Sequence, residues 1–294
     1  MSANAPIAPS ELIINTDGSV YHLALRPDQL ADKIITVGDP DRVEAVAQYL
    51  TDREFTLRKR EFVSTTGQYQ GKRITVLSTG MGTDNVEIVI NELDALVNID
   101  VDTRLIKERK KALDIVRIGT SGALQTEIPL DAALCSVQAI GLDTLMAFYP
   151  LNQSPADALI TAGLQQSLGI GFRPYLVKAA QSLVDRIGHD MIPGTTLTCP
   201  GFYAPQGRML RLQTKVEDAV LKYQQFRWDG GGVAWQDRLT NFEMETAGYY
   251  ALGTLLGHHV LSVNAIVAHR ISNTFSTRAD EVIDQLVRKV LDRI

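Results

Sequence analysis

Residues 34–50 read IITVGDPDRVEAVAQYL, and this stretch decides the fold class. Its opening run, IITV, is apolar or β-branched, the make-up of a buried strand. Gly38 ends the run. Asp39-Pro40 then supplies an N-cap carboxylate and a proline at the first helical position, and DRVEAVAQYL continues with helical spacing. A strand that turns directly into a capped helix is a unit of an α/β protein. The alternation recurs downstream. TTGQYQGKRITVLSTG (65–80) reads as a hairpin turning near Gln70-Gly71, with its second strand from Arg73 to Ser78. VEIVINELDALV (86–97) is an amphipathic helix with Val86, Ile90, Leu93 and Val97 on one stripe. IVRIG (115–119), AALCSV (132–137), TTLTC (195–199) and VLSVNAIV (260–267) read as further strands. Helices are predicted at YLVKAAQSLVDRI (175–187), at VEDAVLKYQQF (216–226), from Glu243 to about Leu256, and from Ala279 to the end. The chain has 294 residues with no internal repeat and no convincing linker, so the economical reading is one large α/β domain.

Composition excludes several classes. The formal charge of -5 offers no basic face to nucleic acid. Cys135 and Cys199 sit in apolar strand-like runs and read as small buried hydrophobes; with no CxxC and no Cys/His or HExxH spacing, no metal site is expected. No apolar run approaches the about 18 residues of a membrane span, and MSANAPIAPSEL lacks the basic start and apolar core of a signal peptide. The expectation is a cytoplasmic protein with no membrane partner. Residues 1–19, rich in Ala and Pro at the start, are expected to form a flexible arm ahead of a domain over 20–294. The basic run within DVDTRLIKERKKALD (100–114) reads as a solvated surface element.

Three motifs carry the chemistry. In TCPGFYAPQGR (198–208), Phe202 and Tyr203 are followed by Gln206 and Arg208. A flat, uncharged heterocycle needs a ring to stack on, an amide that both donates and accepts, and a fork of fixed donors. The plainer alternative is a pair of aromatics pinning a loop to the core. In VGDPDR (37–42), Gly38 permits close approach by an anion, the helix N-terminus adds partial positive charge, and Arg42 lies in the first turn; Asp39 is assigned to capping. An ordinary strand-turn-helix corner would look the same. Arg117, inside the apolar IVRIG, must be paired or aimed into a cavity, because a lone buried charge is prohibitively costly. Either an anion site or an internal ion pair satisfies it. Gly119, Thr120, Ser121 and Gly122 follow at the expected strand end, with Thr120 adding a hydroxyl. NFEMETA (241–247) carries Glu243 and Glu245. Carboxylates two apart do not share a helical face and so do not suggest an acid/base dyad; both could simply favour a helix start. Base, phosphate and sugar together are the substrates of a nucleoside phosphorylase.

The segments YHLAL, VGDPDRVEAVA, KREF, STGMG, VRIGTSGAL, FYAPQGR, NFEMETA and AIVAHR stand in the order found in the uridine phosphorylases of the nucleoside phosphorylase family, which the chain resembles over almost its whole length. The resemblance implies a single-domain three-layer α/β sandwich with a central mixed, partly barrel-like sheet flanked by helices. It implies a phosphate site of Gly38, Arg42, Arg117 and Thr120, with Arg60 reaching in from a neighbouring subunit. It implies a ribose site of Glu245, Met244 and Glu243, with His22 crossing from the neighbour to the ribose 5′-hydroxyl. It implies a base site of Phe202, Gln206 and Arg208, buttressed by Arg270. The catalytic set is then Arg117, Glu245 and Arg208, in a self-associating enzyme whose sites are shared between subunits.

The co-substrate would be inorganic phosphate, with no cofactor. Purine-cleaving relatives carry a Ser-Asp pair near the last strand end, where this chain has AHRISN (268–273), so pyrimidine selectivity is expected. Thr83-Asp84-Asn85 after STGMG puts the monovalent-cation site of some bacterial members in question, although Glu61 keeps one matching position. His269 stands where a small polar residue is common. The activity implied is phosphorolysis of uridine to uracil and ribose 1-phosphate in pyrimidine salvage. Its rivals are a same-fold nucleosidase, which would not need Arg42, Arg60 and Arg117 together, and a non-catalytic nucleoside-binding protein, which should have lost part of the set. A nicotinamide-dependent oxidoreductase is disfavoured because neither GMGTDN nor GTSGAL completes GxGxxG.

Overall fold

The computed structural model describes residues 5–294. In chain order its main elements are β1 (Lys33–Val37), α1 (Pro40–Ala47), β2 (Thr51–Lys59), β3 (Phe62–Tyr69), β4 (Lys72–Ser78), α2 (Thr83–Asn98), β5 (Asp114–Ala123), β6 (Ala133–Gly141), α3 (Pro155–Leu168), β7 (Tyr175–Lys178), a short α4 (Gln181–Leu183), β8 (Ile192–Thr198), α5 (Ala219–Gln225), β9 (Asn241–Glu243), α6 (Thr246–Leu256), β10 (His259–His269), β11 (Thr274–Phe275) and α7 (Ala279–Arg293). All eleven strands join one mixed sheet. Parallel β4, β1, β5 and β10 form its centre. β5 also pairs antiparallel with β9, β9 parallel with β8, β8 parallel with β6, and β6 antiparallel with β10. That circuit returns to β5 and closes half of the sheet into a barrel, which removes its edges. Helices cover both faces. Buried residues of α2 and α6 pack in one core with Ile34, Leu77 and Ile115, while those of α1 and α7 pack in a second with Ile35, Val76 and Val263. The molecule is thus a single-domain α/β fold with a mixed, partly closed sheet and flanking helices.

The strand-turn-helix unit forms as its residues dictate: Asp39 accepts the Asp41 N–H, and Pro40 starts α1. Gln70 and Gly71 both take positive φ, closing the β3–β4 hairpin. Val86, Ile90 and Leu93 are buried and Val97 is half-buried, as the stripe on α2 requires.

Several expectations needed correction. The segment 175–187 is not one helix. Tyr175–Lys178 pairs with β6, and the Ala179 and Ala180 N–H groups go to Val137 O and Val260 O in place of helical carbonyls. A short strand buried against the sheet overrides the helical spacing. The helix placed at Glu243 begins at Thr246, because Asn241–Glu243 bridges β5 and β8. The predicted 216–226 helix is confined to Ala219–Gln225, and β2 and α3 were not foreseen. β5 runs on to Ala123, so Thr120 lies within a strand and not at its end.

The arm expected over residues 1–19 is fastened along its described part. Ile7 N donates to Arg104 O, the Arg104 guanidinium donates back to Leu12 O, and Ile14 bridges to Val20. The basic segment 100–114 therefore holds Ile7 and Leu12 through Arg104. Among the described residues no helix is long and apolar enough to cross a membrane.

Candidate active site

The central strands place three residues side by side: Thr36 of β1, Arg117 of β5 and Ser262 of β10 are cross-strand partners. Two positions along, Asn264 partners Gly119. The Arg117 side chain folds back over Gly119, where a Cβ would lie 2.0 Å from Nη1; only glycine leaves that lane open. Buried to 4% exposure, Arg117 spreads its guanidinium between two kinds of acceptor. Nη2 donates to Glu245 Oε2 at 2.6 Å and lies 3.2 Å from Glu243 Oε2. Nη1 donates to Asn264 Oδ1 at 3.0 Å and to Ser262 Oγ at 3.2 Å. Of the two sequence alternatives for Arg117, the internal ion pair is therefore present.

Glu243 and Glu245 converge on one cation because neither is helical. They straddle the corner between β9 and α6, so the rule that carboxylates two apart diverge on a helix does not apply. Glu243 also caps α6. Its oxygens accept the Glu245 and Thr246 N–H groups at 2.9 Å, and one takes the Thr198 hydroxyl at 2.7 Å. The first-turn charge effect and an ion pair are both served by one side chain. Glu245 Oε1 accepts the Gly82 N–H at 2.8 Å, which ties it to the STGMG turn. Burial pushes the Glu245 carboxyl above the usual carboxylate range, with Arg117 opposing and Glu243 adding. Burial also works against charge on Arg117, but the two carboxylates outweigh it and hold its pKa above that of an ordinary arginine. Met244, between them, is half-buried.

Arg42 is half-buried in the first turn of α1, its N–H donates to Asp39 O, and its guanidinium has no hydrogen-bond partner among the described residues. Its pKa is lowered by burial, Asp39 opposing, and further by Arg117, so the two guanidiniums feel each other across the end of β1. Gly38 adds an uncrowded backbone, since a Cβ there would meet only Gly80 O at 3.5 Å. Thr120, half-exposed, lies three residues along β5 from Arg117. Arg60 is not part of this cluster. It is exposed in the turn between β2 and β3, with φ 56. His22 is held elsewhere: Nδ1 lies 2.7 Å from Glu92 Oε1 on α2, and Glu92 also accepts the His22 and Leu23 N–H groups.

The aromatic loop follows β8, with Phe202 four residues beyond Thr198. Tyr223 of α5 donates to Pro205 O at 2.7 Å, and Gly207, at φ 69, has no room for a Cβ beside Val220. Gln206 is 3% exposed and its Oε1 accepts from Arg208 Nη1 at 2.5 Å; the same nitrogen donates to Phe202 O at 2.7 Å. The Arg208 guanidinium stacks 3.7 Å above the Phe202 ring. Arg270 donates to Gln206 O at 3.1 Å, with its guanidinium 5.5 Å from the Phe242 ring. Burial and the nearby Arg270 lower the Arg208 pKa to about 10, which leaves it charged at neutral pH. Phe202, Gln206, Arg208 and Arg270 thus form one cluster, and Phe242, next to Glu243, joins it to the carboxylates. His269 does not contribute. Its Nδ1 accepts the Ser272 N–H, so Nε2 carries the proton and donates to Gln125 O at 3.0 Å; both ring nitrogens are used inside the fold.

The sequence reading passed over Asn264, Ser262 and the Gly82 N–H. A signal existed for the first two, since polar residues two apart in the apolar run VLSVNAIV must share one face of a buried strand. Among the described residues no group of three or more His, Cys, Asp or Glu side chains is placed to hold a metal.

A family model described as "Phosphorylase superfamily" matches residues 32–293. The uridine phosphorylase of Thermococcus kodakarensis is 29% identical over 265 residues, 90% of this chain and 83% of that protein. A DeoD-type purine nucleoside phosphorylase of Oceanobacillus iheyensis is 26% identical over 93% of this chain and 98% of its own length. A Trypanosoma brucei nucleoside phosphorylase, described as showing uridine phosphorylase activity, superposes with a TM-score of 0.87 at 28% identity, covering 96% of this chain and 98% of that one.

Proposed function

Because the chain belongs to the phosphorylase superfamily, we propose that it is a uridine phosphorylase, a pentosyltransferase that cleaves uridine with inorganic phosphate to give uracil and ribose 1-phosphate. The observation that carries the choice of base is the Gln206–Arg208 pair, bonded to each other, with Arg208 stacked on Phe202. An amide and a guanidinium side by side match the carbonyl and N3–H edge of a pyrimidine, and residues 268–273 hold no acid to protonate a purine ring nitrogen.

In this reading the anomeric C–N bond breaks with its electron pair going to uracil, and a phosphate oxygen forms the new C–O bond. Little proton transfer is required of the protein. Arg208 and Gln206 take up the charge on the departing base, with Arg270 bracing the loop through Gln206 O. Glu245 sits beneath the ribose, accepts its hydroxyls and stabilises positive charge on the sugar, with Met244 against the ring and Glu243 fixing the corner. Gly38, Arg42, Arg117 and Thr120 receive phosphate and hold it in line with the anomeric carbon. Arg60 and His22 complete the site of a neighbouring subunit. In support, Arg60 is exposed in the turn of the β2–β3 hairpin. The protein is read as a cytoplasmic enzyme of pyrimidine salvage with no cofactor.

The test is to incubate the protein with uridine, thymidine, inosine and adenosine, each with and without phosphate, and to measure free base. Uracil should appear from uridine only with phosphate, and inosine and adenosine should stay intact. Equal release without phosphate would make it a nucleosidase, and rapid inosine cleavage would overturn the base assignment.

A further inference from the structure

Asn264 is fully buried and meets the site at Arg117 Nη1 and at Ser262 Oγ. Its amide has a defined direction, because Arg117 can only donate and so faces Oδ1, and a chain of buried side chains agrees with that direction proton by proton. Thr196 Oγ1 spends its single hydrogen on Asn241 Oδ1 at 2.9 Å. The 2.6 Å contact between Ser136 Oγ and Thr196 Oγ1 must then be donated by Ser136. Ser136 Oγ is left to accept, and it takes the Asn264 Nδ2 hydrogen at 3.1 Å. With Nδ2 so engaged, Oδ1 is turned toward Arg117 Nη1. Asn241 in turn donates Nδ2 to Ser121 Oγ at 2.9 Å. The network spans β6, β8, β9, β5 and β10 around the closed half of the sheet, and it ends on the one guanidinium at the centre of the site.

The charge of the acceptor matters as much as its direction. Arg117 already faces two carboxylates, so the trio carries a net negative charge if both are ionised. A neutral acceptor at Nη1 satisfies the buried guanidinium without adding to that charge. It also prevents the planar fork from rotating wholly onto Glu243 and Glu245, where it would turn away from an incoming anion.

We infer that Asn264 is a positioning residue that, through its Oδ1, aims Arg117 at phosphate, and that its neutrality is required for phosphate affinity. This rests on the phosphorolytic reading of the site. The Asn264→Ala and Asn264→Asp variants should be compared with the native enzyme by thermal unfolding, by uridine KM, and by phosphate KM and kcat. Asn264→Ala should raise phosphate KM about tenfold, the equivalent of one hydrogen bond to a charged group, while uridine KM changes less than threefold. Asn264→Asp keeps the side-chain shape but adds a third carboxylate to the cluster, and should raise phosphate KM further than Ala does.

A purely structural role would move both KM values and the unfolding temperature together; that result overturns the proposal, as does an unchanged phosphate KM in both variants. If Asn264→Asp does not fold, Asn264→Ala and Asn264→Ser decide it: Ser, which can still offer an oxygen, should recover part of the phosphate affinity lost in Ala, and equal phosphate KM in the two sinks the idea. Absence of phosphorolysis by the native protein on any nucleoside would be a failure of the reaction assignment, separable from these outcomes.

Discussion

The two ends of the candidate site are built in opposite ways. The carboxylate–arginine end is assembled from β5, β9, β10 and the start of α6, its charged groups nearly fully buried and each held by partners from distant parts of the chain. The base end is local: Phe202, Gln206 and Arg208 lie within seven residues and bond mostly to one another, with Phe202 half-exposed. Charge explains the difference. Ions removed from water need several fixed partners, and only the junction of several strands supplies them. A neutral base needs a flat face and a few donors, which a short loop can carry. The first end should therefore couple activity to stability, and the second should affect activity alone.

The sharpest attempt to break this contrast is Arg117→Ala. It leaves Glu243 and Glu245 facing each other without their cation, so it should lower stability by about 3–5 kcal/mol in urea unfolding, along with a loss of nearly all phosphorolysis. A variant as stable as the native protein would mean that the pair is not structural. Glu245→Gln separates the two roles: activity should fall by about 10²–10³-fold, the scale of losing one transition-state electrostatic partner, while the fold persists.

The same variant carries a pH signature. The folded pKa of Glu245 is raised above its unfolded value by burial, so the folded state holds the proton more tightly. The stability this contributes is complete below the ordinary glutamate pKa and is lost as pH rises through the raised one. Unfolding temperatures of native and Glu245→Gln protein should accordingly move apart in favour of Gln as pH rises from acid toward neutral. A constant gap would remove burial as the cause.

At the other end, Gln206→Ala and Arg208→Ala should each reduce kcat/KM for uridine by about 10–100-fold, the equivalent of about 1–3 kcal/mol of unpaired polar groups on the base. Their unfolding temperatures should stay near native. A large loss of stability in either would erase the contrast between the ends. The smallest effect is expected from Phe202→Leu, which keeps an apolar wall but removes the ring beneath Arg208. A loss of about 0.5–1 kcal/mol in transition-state binding, a few-fold in kcat/KM, should be measurable with uridine.

How much of this was readable beforehand differs between the ends in the same sense. FYAPQGR shows the residue types suited to a base within seven residues, and Arg208 bonds to Phe202 and Gln206 inside that loop. Arg117 stood out because a guanidinium inside IVRIG demands a partner, yet nothing in the linear chain named Glu243 and Glu245 as that partner. The resemblance assigns both to ribose, and their residue types alone place them at a helix start, where a three-residue strand stands instead. Asn264 and Ser262 passed unnoticed in a strand read only for its apolar residues. The segment 175–187 was misread for a related reason, since its helical spacing was overruled by pairing with β6.

What the sequence by itself determined is whatever local chemistry dictates: the strand and proline-started helix at 34–47, the Gln70-Gly71 turn, the stripe on α2, the α/β class, and the residue types suited to a base, a sugar and a phosphate. Only the tertiary structure decided which charges meet, where the sheet closes on itself, and that Arg117 lies over Gly119 with carboxylates on one side and neutral acceptors on the other. The physical reason is range. Turns and caps are settled by neighbours a few residues apart, whereas a buried ion is stable only where several strands bring their polar groups to one point, and that point exists only after the sheet has closed.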